Sequence, residues 1–95
     1  MISFTVRMRF DDGDRTALEE ILRNLAAASR QEPGCTYFLP HFVEGEPATV
    51  LIYEQYKDEA ALEHHRASPH FKQYASGGLY QLMKERSLEA LHAVS

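Results

Sequence analysis

Glu54, His65 and His70 are the residues whose types and positions could support acid–base chemistry in this chain. Glu54 alternates with apolar residues on one face of an extended segment, and His65 lies three positions after Leu62 on the apolar side of a helical segment. A buried carboxylate needs a partner, and a carboxylate that holds an imidazole fixes the tautomer of a general base. The pattern therefore predicts either a catalytic Glu54–His65 pair or a hydrogen-bonded pair with a purely structural role.

His70 follows the pair Ser68-Pro69, which is typical of a helix start. The free backbone N–H groups and the positive end of the helix dipole attract anionic ligand atoms to such a position. His70 is therefore a candidate for stabilising negative charge in a site. The alternative is an ordinary residue at a helix end.

The histidine spacing does not predict a metal site. His65 and His70 are five positions apart with a proline between them, whereas two ligands on one helix face are three or four apart. Cys35 has no spacing signature of a nucleophile, so a buried structural role is expected for it. Arg7 and Arg9 are expected to point away from the core as solvent or interface charges, although an anionic ligand could use them. No phosphate-binding glycine loop or GxSxG motif is present.

The secondary-structure elements that carry these residues can be located from the hydrophobic period. A period of two, or an aromatic and β-branched composition, predicts strands over residues 2–10, 35–44 and 49–56. Helical spacing predicts helices over residues 16–31 and 59–67, and another from Pro69 to the break at Gly77-Gly78. The tail over residues 84–94 has helical propensity, but its place in the order predicts a strand. With right-handed crossovers this is a single α+β domain over residues 1–95, a ferredoxin-like βαββαβ fold with a four-stranded antiparallel sheet.

The second and third predicted strands are apolar on both faces. Tyr37 and Leu39 alternate with Phe38, and Leu51 and Tyr53 fall opposite other apolar residues. A sheet covered by helices on one face normally carries polar residues on the other, and a large exposed apolar patch marks an interface. The pattern predicts a homodimer formed by sheet-to-sheet packing. The alternative is a solvent-facing side that simply carries aromatic residues.

Composition limits the class of protein and its partners. The chain has 95 residues, of which 44% are hydrophobic and 25% charged, as in one globular domain. Its net charge of −4 argues against binding to nucleic acid or to an anionic membrane surface. No signal peptide or membrane-length apolar stretch is visible. The one cysteine cannot form an internal disulfide, so we expect a cytoplasmic protein.

Four segments, taken together, resemble the antibiotic biosynthesis monooxygenase family, in the right order and over nearly the whole chain. They are Glu32-Pro33-Gly34-Cys35, the strand over residues 51–56, the helix start over residues 58–63, and the stretch over residues 65–72. The resemblance implies a dimeric α+β barrel, which agrees with the apolar second face. Members of the family include cofactor-independent monooxygenases of phenols or quinols, haem-degrading enzymes, and isomerases of small phosphorylated sugars or diketones.

Within the family, the resemblance is closer to some members than to others. The haem-degrading members carry a tryptophan and a histidine after the third strand, where this chain has His65 and Ala75, and this chain contains no tryptophan. Haem degradation is therefore disfavoured, and the missing tryptophan also separates the chain from the polyketide-oxidising members. His65 and His70 match the His-x-x-Ser/Thr-Pro-His pattern of quinol-monooxygenase-like relatives.

The resemblance implies a cofactor-independent monooxygenase that uses O₂ to oxidise a small aromatic quinol or phenol. His65, oriented by Glu54, would take the hydroxyl proton, and His70 would stabilise the developing oxyanion. The substrate would lie between sheet and helices against five aromatic side chains: Phe4, Phe38, Tyr53, Phe71 and Tyr74. Two alternatives stay open, an isomerase of a small carbonyl compound with the same base and a small-molecule-binding dimer without catalysis.

Overall fold

A four-stranded antiparallel sheet carries the site, and the computed structural model describes it together with all of residues 1–95. Its strands are β1 (Ile2–Arg9), β2 (Cys35–Phe42), β3 (Thr49–Tyr56) and β4 (Glu85–Leu91). They lie in the order β2-β3-β1-β4, and every neighbouring pair is antiparallel. This order confirms the predicted ferredoxin-like fold, and the ambiguous tail forms the predicted last strand.

Two α-helices pack on one face of the sheet. Helix α1 (Arg15–Ser29) follows a short 3-10 turn and buries Leu18, Leu22 and Leu25 at helical spacing. Helix α2 (Glu59–Ala67) begins after Asp58, whose side chain accepts a hydrogen bond of 2.8 Å from the Ala61 N–H. The bounds of α2 are the predicted ones, whereas the ends of α1 differ from the predicted ones by one and two residues, as is usual at helix ends.

The segment after Pro69 is helical, but it does not stop at the two glycines. Ser68 begins it by accepting a hydrogen bond from the Phe71 N–H at 3.2 Å. Phe71–Leu79 then forms a π-helix, followed by one α-helical turn, α3 (Tyr80–Leu82). A Cβ atom on Gly77 would lie 2.8 Å from the Lys72 carbonyl oxygen, so this turn excludes a side chain there. The predicted break at Gly77-Gly78 is thus wrong, because the glycines accommodate a wider helix instead of ending it.

The two faces of the sheet differ as alternation requires. The helix-facing side carries buried apolar residues of β1 and β3, such as Val6 and Ile52, and it also carries Glu54. The opposite side carries an outer-face patch of apolar residues, consisting of Tyr37, Leu39, Leu51 and Tyr53. Tyr37 is 49% exposed and Leu39 37% exposed. The predicted second apolar face is present, and the dimer that it suggests stays a prediction.

Strand β4 forms an edge that the helices do not cover. Every residue of the strand is exposed, including Arg86 and Leu88, which lie on the same side of the sheet as the helices. The space between the sheet and the helices is therefore uncovered along this strand. None of the helices combines the length and the apolar composition that a bilayer crossing requires.

Candidate active site

Two carboxylates and two imidazoles meet between the sheet and α2. His65 is buried on α2, with its Nδ1 atom 2.8 Å from Glu32 Oε2 and its Nε2 atom 3.8 Å from Glu54 Oε1. His70 Nε2 lies 2.5 Å from the same Glu32 Oε2. The structure therefore brings together the three polar residues that the sequence predicted and adds a fourth, Glu32.

Glu32 reaches His65 because the turn between α1 and β2 packs closely against α2. An added Cβ on Gly34 would overlap the Ala61 Cβ, so only glycine permits this approach. The Lys57 N–H also donates to the Gly34 carbonyl at 3.0 Å, which ties the turn to the start of α2. The sequence marked Glu32-Pro33-Gly34 only as part of the family resemblance, and the contact of Glu32 with His65 was not predicted.

The hydrogen-bond geometry corrects the predicted role of Glu54. At 3.8 Å from His65 Nε2, Glu54 is too far away to hold the ring, whereas Glu32 is within hydrogen-bond distance of Nδ1. An ionised Glu32 can accept from both histidines only if His65 carries its proton on Nδ1 and His70 on Nε2. This leaves the lone pair of His65 Nε2 on the side of Glu54 and the cavity. Glu32, rather than Glu54, is the residue that orients His65.

The burial of Glu54 and His65 disfavours a charge on either side chain. Burial raises the pKa of Glu54 to about 7, although a hydrogen bond of 2.6 Å from the Tyr56 hydroxyl opposes that rise. Burial likewise lowers the pKa of His65 below its ordinary value, although Glu32 acts in the opposite direction. A neutral imidazole beside a carboxyl group that titrates near neutral pH is suited to accepting and passing on a proton.

We expect the pH dependence of stability to reveal Glu54. Its pKa rises from an ordinary value of 4.5 to about 7, so the folded protein holds this proton more tightly than the unfolded chain does. The free energy of unfolding should therefore fall as pH rises between those values. Glu54→Gln should remove that fall. Its free energy of unfolding should exceed that of the wild type by up to about 3 kcal/mol near pH 7.5 and by little near pH 4. Urea unfolding across this range measures the difference.

Glu63→Gln is the matched control for this prediction, since Glu63 is an exposed glutamate on α2. The free energy of unfolding of this variant should differ from that of the wild type by the same amount at every pH. A Glu54→Gln curve that runs parallel to the wild type would show that Glu54 titrates as an ordinary surface carboxyl.

A cavity of about 40 Å³ lies beside these groups, between the sheet and the helices. Glu54 and His65 contribute to its wall, together with Phe4, Phe38 and Phe71, three of the predicted substrate-contacting residues. The ring of His65 is surrounded by aromatic rings, with centroid distances of 5.7 Å to Phe38 and 5.3 Å to Phe71. The cavity wall is therefore apolar except where the proton-accepting groups and two arginines reach it.

Three predicted placements do not agree with the structure. Tyr53 lies on the outer face of the sheet opposite Thr5, because odd-numbered residues of β3 point away from the helices. Tyr74 is half-buried against the core but does not line the cavity. His70 does not line it either, since its Nε2 is directed at Glu32. His70 is thus a partner of the Glu32 carboxylate and not a group facing a developing oxyanion.

The cavity is smaller than an aromatic ring requires. A cavity of about 150 Å³ holds a benzene ring, which is several times the volume present here. Phe71 and Tyr80 are the half-buried aromatic residues of the wall, and their rings meet edge to face at 6.1 Å. Binding of an aromatic substrate therefore requires these side chains to move apart.

Glu32, His65 and His70 also form a set of three potential metal ligands, with donor atoms within 4.8 Å of one another. The sequence spacing had argued against such a set, and the turn carrying Glu32 is what creates it. Zinc ligands at their usual bond lengths stand about 3.3 Å apart in a tetrahedral site. The distances of 2.5 and 2.8 Å found here are those of hydrogen-bonded groups, which would have to separate to admit a metal ion. The absence of a metal stays a prediction.

Cys35 is half-buried at the start of β2, and burial raises the pKa of its thiol to about 11. A thiol with such a raised pKa is protonated at neutral pH and is a weak nucleophile. This supports the structural role predicted for it.

Comparison with known proteins adds family information to this geometry. The sequence matches the profile described as antibiotic biosynthesis monooxygenase over residues 1–77. It is similar to the Mycobacterium tuberculosis protein named "Putative monooxygenase Rv0793", with 34% identity over 61 residues. That alignment covers 63% of this chain and 58% of the relative, less than two thirds of its length.

Solved structures share the fold over almost the whole chain. PA3566 from Pseudomonas aeruginosa superposes with a TM-score of 0.89 at 30% identity, covering 99% of this chain and 94% of that one. The structure of Rv0793 superposes with a TM-score of 0.87 at 22% identity, covering 99% and 95%. A crystal structure of an antibiotic biosynthesis monooxygenase gives a TM-score of 0.91 at 21% identity, covering 100% of both chains. The last two likenesses establish the fold alone.

Proposed function

Because this chain belongs to the antibiotic biosynthesis monooxygenase family, we propose that it is a cofactor-independent monooxygenase that oxidises a small aromatic quinol or phenol with O₂. The observation that carries the proposal is the environment of His65. Its Nδ1 is held by Glu32 at 2.8 Å, its pKa is lowered by burial, and its Nε2 lies on the side of an apolar cavity. This is the arrangement of an oriented neutral base next to a mainly apolar binding space.

The chemistry needs only a base and exclusion of water. His65 Nε2 takes the hydroxyl proton of the substrate, and Glu32 stabilises the imidazolium that forms. The substrate anion gives an electron to O₂, and the two radicals combine into a C–O bond. The resulting peroxide anion takes the proton back from His65. Loss of water, with the hydrogen on the same ring carbon, leaves a carbonyl. One oxygen atom enters the product and the other leaves as water, so no external reductant is required.

The proposal includes a homodimer in the cytoplasm. The outer-face patch supports the dimer, since Tyr37 and Leu39 are exposed and the ring of Tyr53 lies beside that of Tyr37, with the centroids 6.1 Å apart. Packing of two such faces would add to the core of a chain that is small for an independent domain. The single cysteine supports the cytoplasmic location.

Isomerisation of a small carbonyl compound is a second candidate. It requires a proton to be taken from one carbon and returned to another. The closeness of two proton-accepting groups favours it, since His65 Nε2 and Glu54 Oε1 are 3.8 Å apart on one wall of the cavity. Such a reaction consumes no oxygen and exchanges substrate hydrogen with solvent.

An oxygen electrode separates these candidates when the purified protein is tested against a panel of quinols, phenols and small ketones. We expect uptake of one O₂ per quinol or phenol oxidised, without added cofactor, and one ¹⁸O atom in the product from labelled O₂. Deuterium exchange into a ketone without oxygen uptake would favour the isomerase. No uptake and no exchange across the panel would contradict both reactions and leave a binding protein.

A further inference from the structure

Two arginines at the opening of the cavity have no acidic partner. Arg66 follows His65 on α2, and Arg86 lies on β4 opposite Met8, on the helix-facing side of the sheet. Both line the cavity and both are exposed, so they mark its mouth. Neither takes part in an ion pair or a side-chain hydrogen bond.

Most of the other arginines are engaged. Arg9 pairs with Glu85 at 3.0 Å, Arg15 and Arg23 each approach Glu19 at 3.6 Å, and Arg30 donates to the Phe38 carbonyl. Arg7 also has no acidic partner, but it lies opposite Leu51 on the outer face of the sheet. Arg66 and Arg86 are the unpaired arginines that line the cavity. Two unpaired guanidinium groups at one opening are therefore a local feature that calls for an anionic partner.

The positions of the two groups fit a ligand whose ring enters the cavity. The guanidinium of Arg86 lies 5.8 Å from the centre of the Tyr80 ring, which holds it beside the mouth. The charges of Arg66 and Arg86 also reach the cavity wall, where they favour ionised Glu54 and oppose the effect of burial on its pKa. An anionic group between the two arginines would be held outside while the rest of the molecule faced His65.

We propose that the mouth of the cavity binds an anionic oxygen group of the substrate, a carboxylate or a phosphate, through Arg66 and Arg86. The substrate is then an aromatic hydroxy acid or aryl phosphate, with its hydroxyl-bearing ring inside and its anionic group outside. Guanidinium groups suit this task because they offer paired N–H donors to carboxylate and phosphate oxygens. This inference rests on the proposed function, whose substrate class it narrows. A nucleic acid does not fit, because two cations do not form a basic stripe.

Anaerobic titration calorimetry tests the proposal, since binding can then be measured without turnover. The probes are hydroquinone, 2,5-dihydroxybenzoate and the monophosphate ester of hydroquinone. We expect the wild-type protein to bind at least one anionic probe about tenfold or more tightly than hydroquinone. Arg66→Gln and Arg86→Gln should each reduce that preference about fivefold to tenfold. The two anionic probes distinguish a carboxylate site from a phosphate site.

Arg23→Gln is the matched control, because it removes the same charge from an exposed position on α1 that does not line the cavity. It should keep the wild-type preference. All three side chains are exposed, and thermal unfolding of each variant verifies that it is folded. The proposal is overturned if the wild type binds no anionic probe more tightly than hydroquinone, or if both arginine variants keep the preference.

The outcome is separable from that of the oxygenase proposal. Preference for an anionic probe without oxygen uptake would support the anion site and contradict the oxidation. Oxygen uptake with hydroquinone, without preference for either anionic probe, would support the oxidation and contradict the anion site.

Discussion

His65→Ala is expected to lower the rate of oxygen uptake by about 10²- to 10⁴-fold, the range typical of a lost general base. The reason is that Nε2 of His65 is the nitrogen that Glu32 leaves unprotonated on the cavity side. An oxygen electrode measures the rate at saturating quinol. His64→Ala is the matched control, because His64 is the neighbouring histidine on α2 and is exposed. It should keep the wild-type rate.

A second variant protects this test against unfolding. His65 is 2% exposed, and its removal leaves the buried Glu32 without one of its partners. His65→Gln retains an N–H donor for Glu32 but supplies no basic nitrogen. We expect it to fold as a cooperative unit and to be as inactive as the alanine variant. Wild-type turnover in folded His65→Gln would remove His65 from the mechanism.

Glu32→Gln is expected to lower the rate about 10- to 100-fold, and the change should be visible in the pH profile. The Glu32 carboxylate raises the pKa of His65 against the effect of burial, so its neutralisation lowers that pKa further. The acidic limb of the rate profile, which reports protonation of the base, should move to lower pH while the plateau falls. Initial rates between about pH 4 and pH 8 measure both effects.

This prediction also decides between the two glutamates. Glu63→Gln, an exposed change on α2, should leave rate and profile unchanged. If Glu32→Gln keeps the wild-type profile and Glu54→Gln loses the acidic limb, then Glu54 is the residue that tunes His65. A merely structural role for Glu32 would lower stability without moving the limb.

The strands were predictable because their side chains alternate between a buried and an exposed face. That pattern located β1 and β3 and placed Glu54 among buried residues, as the structure shows. The same alternation placed Tyr53 on the outer face, so a substrate contact for Tyr53 contradicted a pattern already visible in the sequence. For β4 the sequence period was ambiguous, and the topology of the fold supplied the answer.

Glu32 could not be found by the same reasoning. It lies in a turn, where acidic residues are usually exposed, and its partner His65 is 33 positions away. The contact depends on the close approach of Gly34 to Ala61, which no periodicity records. The usable signal was the buried imidazole of His65. Its two ring nitrogens need two polar partners, and Glu54 could supply only one of them.

The π-helix of Phe71–Leu79 has a consequence for how this site can diverge among related proteins. Removing one residue from it would restore the narrower α-helical turn and rotate the residues on its C-terminal side by about 100°. Tyr80 would then turn away from Phe71, and Arg86 would lose the ring beside it. Single-residue insertions and deletions here can therefore give relatives a new entrance, and a new choice of substrate, while the proton-transfer groups stay the same.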